Sequence, residues 1–90
     1  MQHNMEYKII DKFIPNGMNV GALVEVNGEE LIADITYKSL AGDDGFEFAV
    51  FKTKDRQITF DTALPIFCKK NVSFDWDAWE MCMKEFLETF

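Results

Sequence analysis

The residues able to do chemistry are few and scattered along the chain. The single histidine, His3, lies in a polar N-terminal stretch, residues 1–5, that is expected to be a mobile tail. Nucleophilic catalysis needs a base held beside its nucleophile, so neither a Cys-His nor a Ser-His site is expected. Cys68 and Cys82 sit in apolar runs, with no multi-cysteine framework and no metal-type spacing. They read as two buried thiols of a reducing, cytoplasmic compartment, although a bridge between them stays open at this level. The glycines at 17, 21, 28, 42 and 45 never form a phosphate-cradling loop ahead of a helix, which leaves nucleotide cofactors without a seat.

Carboxylates pair at Asp43-Asp44 and at Asp75-x-Asp77. A hard cation such as calcium takes about six or more oxygen ligands, more than either cluster brings together. Asp43-Asp44-Gly45 has the composition of a solvated turn, and Asp75 and Asp77 are what the positive end of a helix dipole favours. No catalytic residue, no metal ligand and no cofactor is therefore expected, and the chain reads as a binding protein rather than an enzyme.

The bulk composition narrows what could be bound. Ninety residues with 48% apolar side chains, among them nine Phe and two Trp, make one folded domain over 1–90 and exclude disorder. A net charge of −7 repels phosphate backbones and anionic lipid, so direct nucleic-acid or membrane binding is not expected, whereas a basic protein surface is a natural partner. No stretch approaches the roughly 18 consecutive apolar residues of a membrane-spanning helix. The charge is also uneven: residues 73–90 hold five acids against Lys84 alone, a balance of −4 out of the chain's −7.

The elements that would position these residues follow from periodicity. Glu6 to Phe13 reads as a first strand stopped by Pro15-Asn16-Gly17. Val20–Val26, Asn27-Gly28 and Glu29–Lys38 read as a hairpin, because Asn-Gly accepts the positive φ angles of a type I′ turn. A two-residue loop pairs Val26 with Glu29, Val24 with Leu31, Ala22 with Ala33 and Val20 with Ile35 on one face. On the other it pairs Glu25 with Glu30, Leu23 with Ile32 and Gly21 with Asp34. Like charges directly across a hairpin are mildly unfavourable, so Glu25, Glu29 and Glu30 are expected to be solvated or to meet a basic partner.

After a loop at Ala41 to Gly45, Phe46 to Thr53 is apolar on both sides and reads as a central strand. Thr53 to Arg56 turns the chain into a fifth strand, Gln57 to Asp61, with Ile58 opposite Phe51 and Phe60 opposite Ala49. The meander thus occupies residues 6–61. Ala63 to Cys68 contains proline and reads as an edge segment or packed connection.

The C-terminal helix is expected over 74–90. Asp75 is placed to cap it, with Phe74 packing on Trp79 as a hydrophobic staple. Trp76, Trp79, Met83, Phe86 and Phe90 recur at helical spacing, flanked by Cys82 and Leu87, and form a core-facing stripe. Asp77, Glu80, Lys84, Glu85 and Glu88 take the other side, with Met81 among them and Glu80 to Lys84 a favourable i,i+4 pair. Glu85 and Glu88 oppose the helix dipole, so stability does not explain where they stand. One helix covers one face of such a sheet, and a homodimer or a partner is expected to cover the other.

The fold class expected is thus α+β, an antiparallel meander of about five strands with one amphipathic helix on one face. The function expected is a protein-binding inhibitor or modulator whose acidic surface occupies a basic groove, such as the nucleic-acid channel of a nuclease or polymerase. The surface would comprise Asp75, Trp76, Asp77, Glu80, Met81, Lys84, Glu85 and Glu88 of the helix with Glu25, Glu29 and Glu30 of the hairpin. In size, acidity and want of catalytic residues the whole chain is similar to small phage-encoded anti-defence proteins, including anti-CRISPR and anti-restriction inhibitors, and to bacterial immunity proteins. Two other readings compete. One is a module for a small metabolite or signalling nucleotide, with Arg56, Lys69 and Lys70 holding its anionic group. The other is a structural subunit of a larger assembly.

Overall fold

The computed structural model describes residues 6–13, 20–40, 43–53 and 64–89. Five antiparallel strands lie in sequence order in one sheet: β1 (Tyr7–Phe13), β2 (Val20–Val26), β3 (Glu29–Leu40), β4 (Asp43–Lys52) and β5 (Phe67–Lys70). One helix, α1 (Trp76–Thr89), packs on one face. This is the α+β meander that the residue pattern predicts.

The β2–β3 hairpin adopts the predicted register at every pair, from Val26 opposite Glu29 to Val20 opposite Ile35. Asn27 at φ 53° and Gly28 at φ 83° supply the two positive angles of a type I′ turn. The register also makes Gly21 obligatory, since a Cβ there would come within 2.6 Å of the Asp34 Cβ directly across.

In β1 the pairing runs Tyr7–Val26, Lys8–Glu25 and Ile9–Val24, then resumes at Asp11–Leu23. Ile10 is the extra residue of a β-bulge, which resets the alternation of faces. Lys12, opposite Ala22, is thereby brought onto the helix side in place of Asp11.

β4 lies between β3 and β5 and is covered on both faces, as its two apolar sides imply. Phe48 and Val50 are fully buried toward the helix, and on the far side Ala49 is only 4% exposed and Phe51 9%. That burial is reached within one chain. A second copy or partner is therefore not needed to cover these two side chains.

Two features differ from the expectation: where β4 begins and which residues form the fifth strand. Asp43 to Gly45, expected in a loop, belong to β4, because the β3 ladder continues through Lys38–Gly45 to Leu40–Asp43. The residues expected to form a strand over Gln57–Asp61 lie outside the described ones, but the position beside Ala49 assigned to Phe60 is held by Cys68. The pairing fits the chemistry: Phe67 places its ring 6.0 Å from Phe48 and 5.5 Å from Phe86, bridging sheet and helix. Pro65 stands just before the strand, where its missing N–H removes no ladder bond. The expected N-terminal tail, the Pro15 turn and the last helical residue, Phe90, also fall outside the described residues.

The core is the layer between α1 and one sheet face. Val20, Ala22, Val24 and Val26 of β2, with Leu31, Ala33 and Ile35 of β3, meet Trp79, Cys82, Met83 and Phe86. At its centre the Trp79 indole Nε1–H donates to the Ala33 carbonyl oxygen at 3.0 Å, while the Tyr7 ring meets the indole edge-on at 5.7 Å. The polar atom of a fully buried tryptophan is thus satisfied by the strand it packs upon.

Candidate functional site

The site predicted on the helix is assembled by its capping and its periodicity. The Ala78 N–H donates to Asp75 Oδ1 at 2.7 Å, so Asp75 is the N-cap and its carboxylate is committed to the helix end. Phe74, expected to staple onto Trp79, stacks on Phe46 of β4 at 4.7 Å and 22°. Asp77, Glu80, Met81, Lys84 and Glu88 then follow on one exposed stripe, because residues three and four apart share a helix face. Met81 stands in the middle of it, 64% exposed, with Asp77 one turn before and Glu85 one turn after.

Not every predicted residue is equally free to meet a partner. Trp76 is half-buried, edge-on against Trp79 at 5.2 Å, and the Lys12 Nζ lies over its ring at 4.7 Å from the centroid. Glu85 is paired with Lys69 of β5, both side chains being partly exposed. That hydrogen bond holds the Lys69 ammonium above its ordinary pKa. Lys69, considered above as an anion-binding cation, has its charge matched from within the chain. The pair also neutralises one of the two acids that oppose the helix dipole, and Glu88 remains exposed beyond it.

The hairpin acids divide between the two faces. Val26, opposite Glu29, is buried toward the helix, and on its other side it pairs with Tyr7. Burial, and after it the charge of Glu80, raises the Tyr7 phenol above its ordinary 10.0, which places Glu80 near that same end of the sheet. Glu25 and Glu30 alternate to the far face, and across from Glu25 on its other side stands Lys8. The chain itself supplies a cation beside that like-charge pair. The eleven predicted residues therefore do not form one surface: the helix stripe is continuous, Glu29 lies on its side of the sheet, and Glu25 and Glu30 do not.

The sheet edges are poor candidates for strand addition. β1 carries a bulge and three charges among its seven residues, and β5 is four residues long with two lysines. Both are devices that discourage pairing with another chain. The layer between sheet and helix is filled by Trp79, Met83 and Phe86. Among the described residues no group of three His, Cys, Asp or Glu side chains comes together as a metal site, and no helix is long and apolar enough to cross a membrane.

Two contributors escaped the sequence reading. Lys12 reaches Trp76 only because of the bulge at Ile10, which no residue pattern announces. Tyr37 is 54% exposed on the helix side of β3, and its alternation with Ile35 would have located it. No protein-family model matches this chain, and neither a curated protein nor a solved structure matches it, so the surface is read from its own chemistry.

Proposed function

We propose that this chain is a small acidic protein-binding modulator that lays the outer stripe of α1 on a basic surface of a protein target. The observation that carries the reading is Met81, a large apolar side chain 64% exposed and ringed by Asp77, Glu80, Lys84, Glu85 and Glu88. Single apolar residues are ordinary on protein surfaces, but one set at the centre of a polar, mostly acidic rim is the arrangement that a docking surface uses as its desolvated anchor. The excess of acid gives such a surface its sign. Carboxylates would compete for the Lys and Arg that a nuclease or polymerase uses to hold phosphates, which is how an anti-CRISPR or anti-restriction inhibitor of the phage anti-defence type would act.

The test is capture of the partner from the native host on immobilised chain, its identification, and titration of the purified partner. The partner should present a basic surface, lose affinity steeply as salt is raised, and be displaced by duplex DNA if the surface is a nucleic-acid channel. Joint charge reversal, Asp77→Lys, Glu80→Lys and Glu88→Lys, should lower affinity by roughly tenfold or more, and Met81→Ala by several-fold. Binding that survives high salt and ignores the charge reversal would remove the electrostatic reading.

A further inference from the structure

The exposed stripe of α1 carries a side chain whose chemistry docking alone does not use. Of the chain's five methionines, Met1, Met5 and Met18 lie outside the described residues, and the other two stand two positions apart on opposite sides of α1. Met81 is 64% exposed among Asp77, Glu80, Lys84, Glu85 and Glu88. Met83 has no exposed surface and belongs to the core cluster with Trp79 and Phe86. Two steps along a helix turn the chain by about 200°, which is why the two thioethers meet such different surroundings.

A thioether is oxidised at a sulfur lone pair, so its rate follows solvent access. Hydrogen peroxide transfers one oxygen to the sulfur, its O–O bond breaks and water leaves. The sulfur gives up two electrons and the peroxide takes them. The reagent is neutral, so the surrounding carboxylates do not repel it as they would an anionic oxidant. Methionine sulfoxide is polar where methionine is apolar, and the ionised carboxylates of the rim are acceptors that offer its oxygen no hydrogen bond. The core is left intact, because Met81 is not among the residues that build it.

We propose that Met81 is an oxidation site at which a hydroperoxide switches the docking surface off while the fold persists. The inference rests on the functional reading above for the anchoring role of Met81. A sulfoxide reductase drawing on a dithiol reverses the step: the oxygen leaves as water and the dithiol becomes a disulfide. The same oxidation at Met83 would set a polar oxygen in the core, and that residue is shielded until the core opens.

The test uses the full chain carrying Cys68→Ser, which removes the exposed thiol as a competing target. Under hydrogen peroxide, peptide mapping by mass spectrometry should show Met81 gaining oxygen roughly tenfold or more faster than Met83, and the urea midpoint of the chain oxidised at Met81 should be unchanged. The binding probe is an amphipathic peptide of arginine and leucine, titrated by calorimetry. Oxidation should weaken its binding by roughly three- to tenfold. Sulfoxide reductase with dithiothreitol should restore the affinity, and dithiothreitol alone should not. In Met81→Leu, which keeps every other methionine, the affinities before and after peroxide should agree whatever their starting value. Met81 reacting no faster than Met83, a urea midpoint lowered by oxidation of Met81 alone, or a peroxide effect that persists in Met81→Leu overturns the inference. If charge reversal at Asp77, Glu80 and Glu88 weakens the peptide while the sulfoxide does not, the oxidation switch falls and the functional reading stands. If the sulfoxide weakens it while charge reversal does not, the switch stands and the electrostatic reading falls. A peptide that does not bind removes both.

Discussion

The Lys12 ammonium lies 4.7 Å from the centroid of the Trp76 ring, joining the edge strand β1 to the first turn of α1. Ile10 is left out of the ladder, and with it bulged Lys12 stands on the helix side. Lys12→Met keeps the stem that packs along the ring and removes the charge. It is expected to lower stability by about 0.5–1 kcal/mol, the range of a partly exposed cation–π pair. Deleting Ile10 removes the unpaired residue and leaves Ile9–Val24 and Asp11–Leu23 as consecutive pairs on unchanged faces, so Lys12 should stay over the ring and the loss of stability should be no larger than that of Lys12→Met. Urea denaturation followed by tryptophan fluorescence measures both, and a Lys12→Met variant as stable as the unaltered chain would show that the contact contributes nothing.

Trp79 provides a sharper comparison, since its indole does two things at once. It fills the centre of the core and it donates to the Ala33 carbonyl. Trp79→Phe keeps most of the apolar contact and removes the donor, and should cost about 1–3 kcal/mol. Trp79→Ala removes both and should cost about 3–5 kcal/mol. Equal losses in the two variants by chemical denaturation would mean that the hydrogen bond, not the packing, dominates.

The parts of this structure that were legible beforehand are those in which a local signal and a distant one agree. Asn27-Gly28 specifies a tight turn, and the alternation of Val20–Val26 against Glu29–Ile35 independently demands the same register. In α1, Asp75 and the Trp79, Met83, Phe86 spacing agree in the same way. The far edge of the sheet lacked that agreement. Phe67-Cys68-Lys69-Lys70 has one apolar residue facing the core, and Pro65 nearby argued only against a central strand, leaving an edge segment or a packed connection open. Its place beside β4 is decided by Phe67 reaching Phe48 and Phe86, a contact between elements that no local window contains. The candidate surface divides similarly. Periodicity alone assigns Asp77, Glu80, Met81, Lys84 and Glu88 to one stripe. Which acids are matched by a cation, as Glu85 is by Lys69, depends on which strand lies beneath the helix.

The two cysteines cannot bridge within one chain. Cys68 pairs with Ala49 and is exposed on the sheet face away from the helix, whereas Cys82 is buried on α1 against the opposite face. A thiol reagent such as Ellman's should therefore modify one cysteine of the folded chain rapidly and the second only on unfolding, at a rate that tracks the opening of the core. Cys68→Ser should abolish the fast phase and leave the slow one. A disulfide-linked monomer under oxidising conditions, seen by mass spectrometry, would contradict the assignment of the two residues to separate faces.

The buried edge of the core should also determine how the chain fails in base. Burial pushes the Cys82 thiol above its ordinary 9.0, with Glu85 adding to the effect and Lys69 opposing it, and burial together with Glu80 pushes up the Tyr7 phenol. In each case the neutral form is favoured by folding. The unfolded chain therefore releases these protons at lower pH than the folded one, and stability falls with pH once the unfolded values are passed. The contribution is fully present below pH 9.0, declines from there as unfolded Cys82 ionises, and declines more steeply above 10.0 as Tyr7 joins it. Tyr7→Phe keeps the ring against Trp79 and removes the proton, so its stability should fall less steeply than that of the unaltered chain between about pH 10 and 11 while matching its slope near pH 9. Cys82→Ala should fall less steeply from about pH 9 upward, beginning from a lower stability because of the cavity it leaves. Denaturant midpoints measured from pH 7 to 11 separate the two groups, and parallel profiles for the unaltered chain and both variants would show that neither proton is linked to folding.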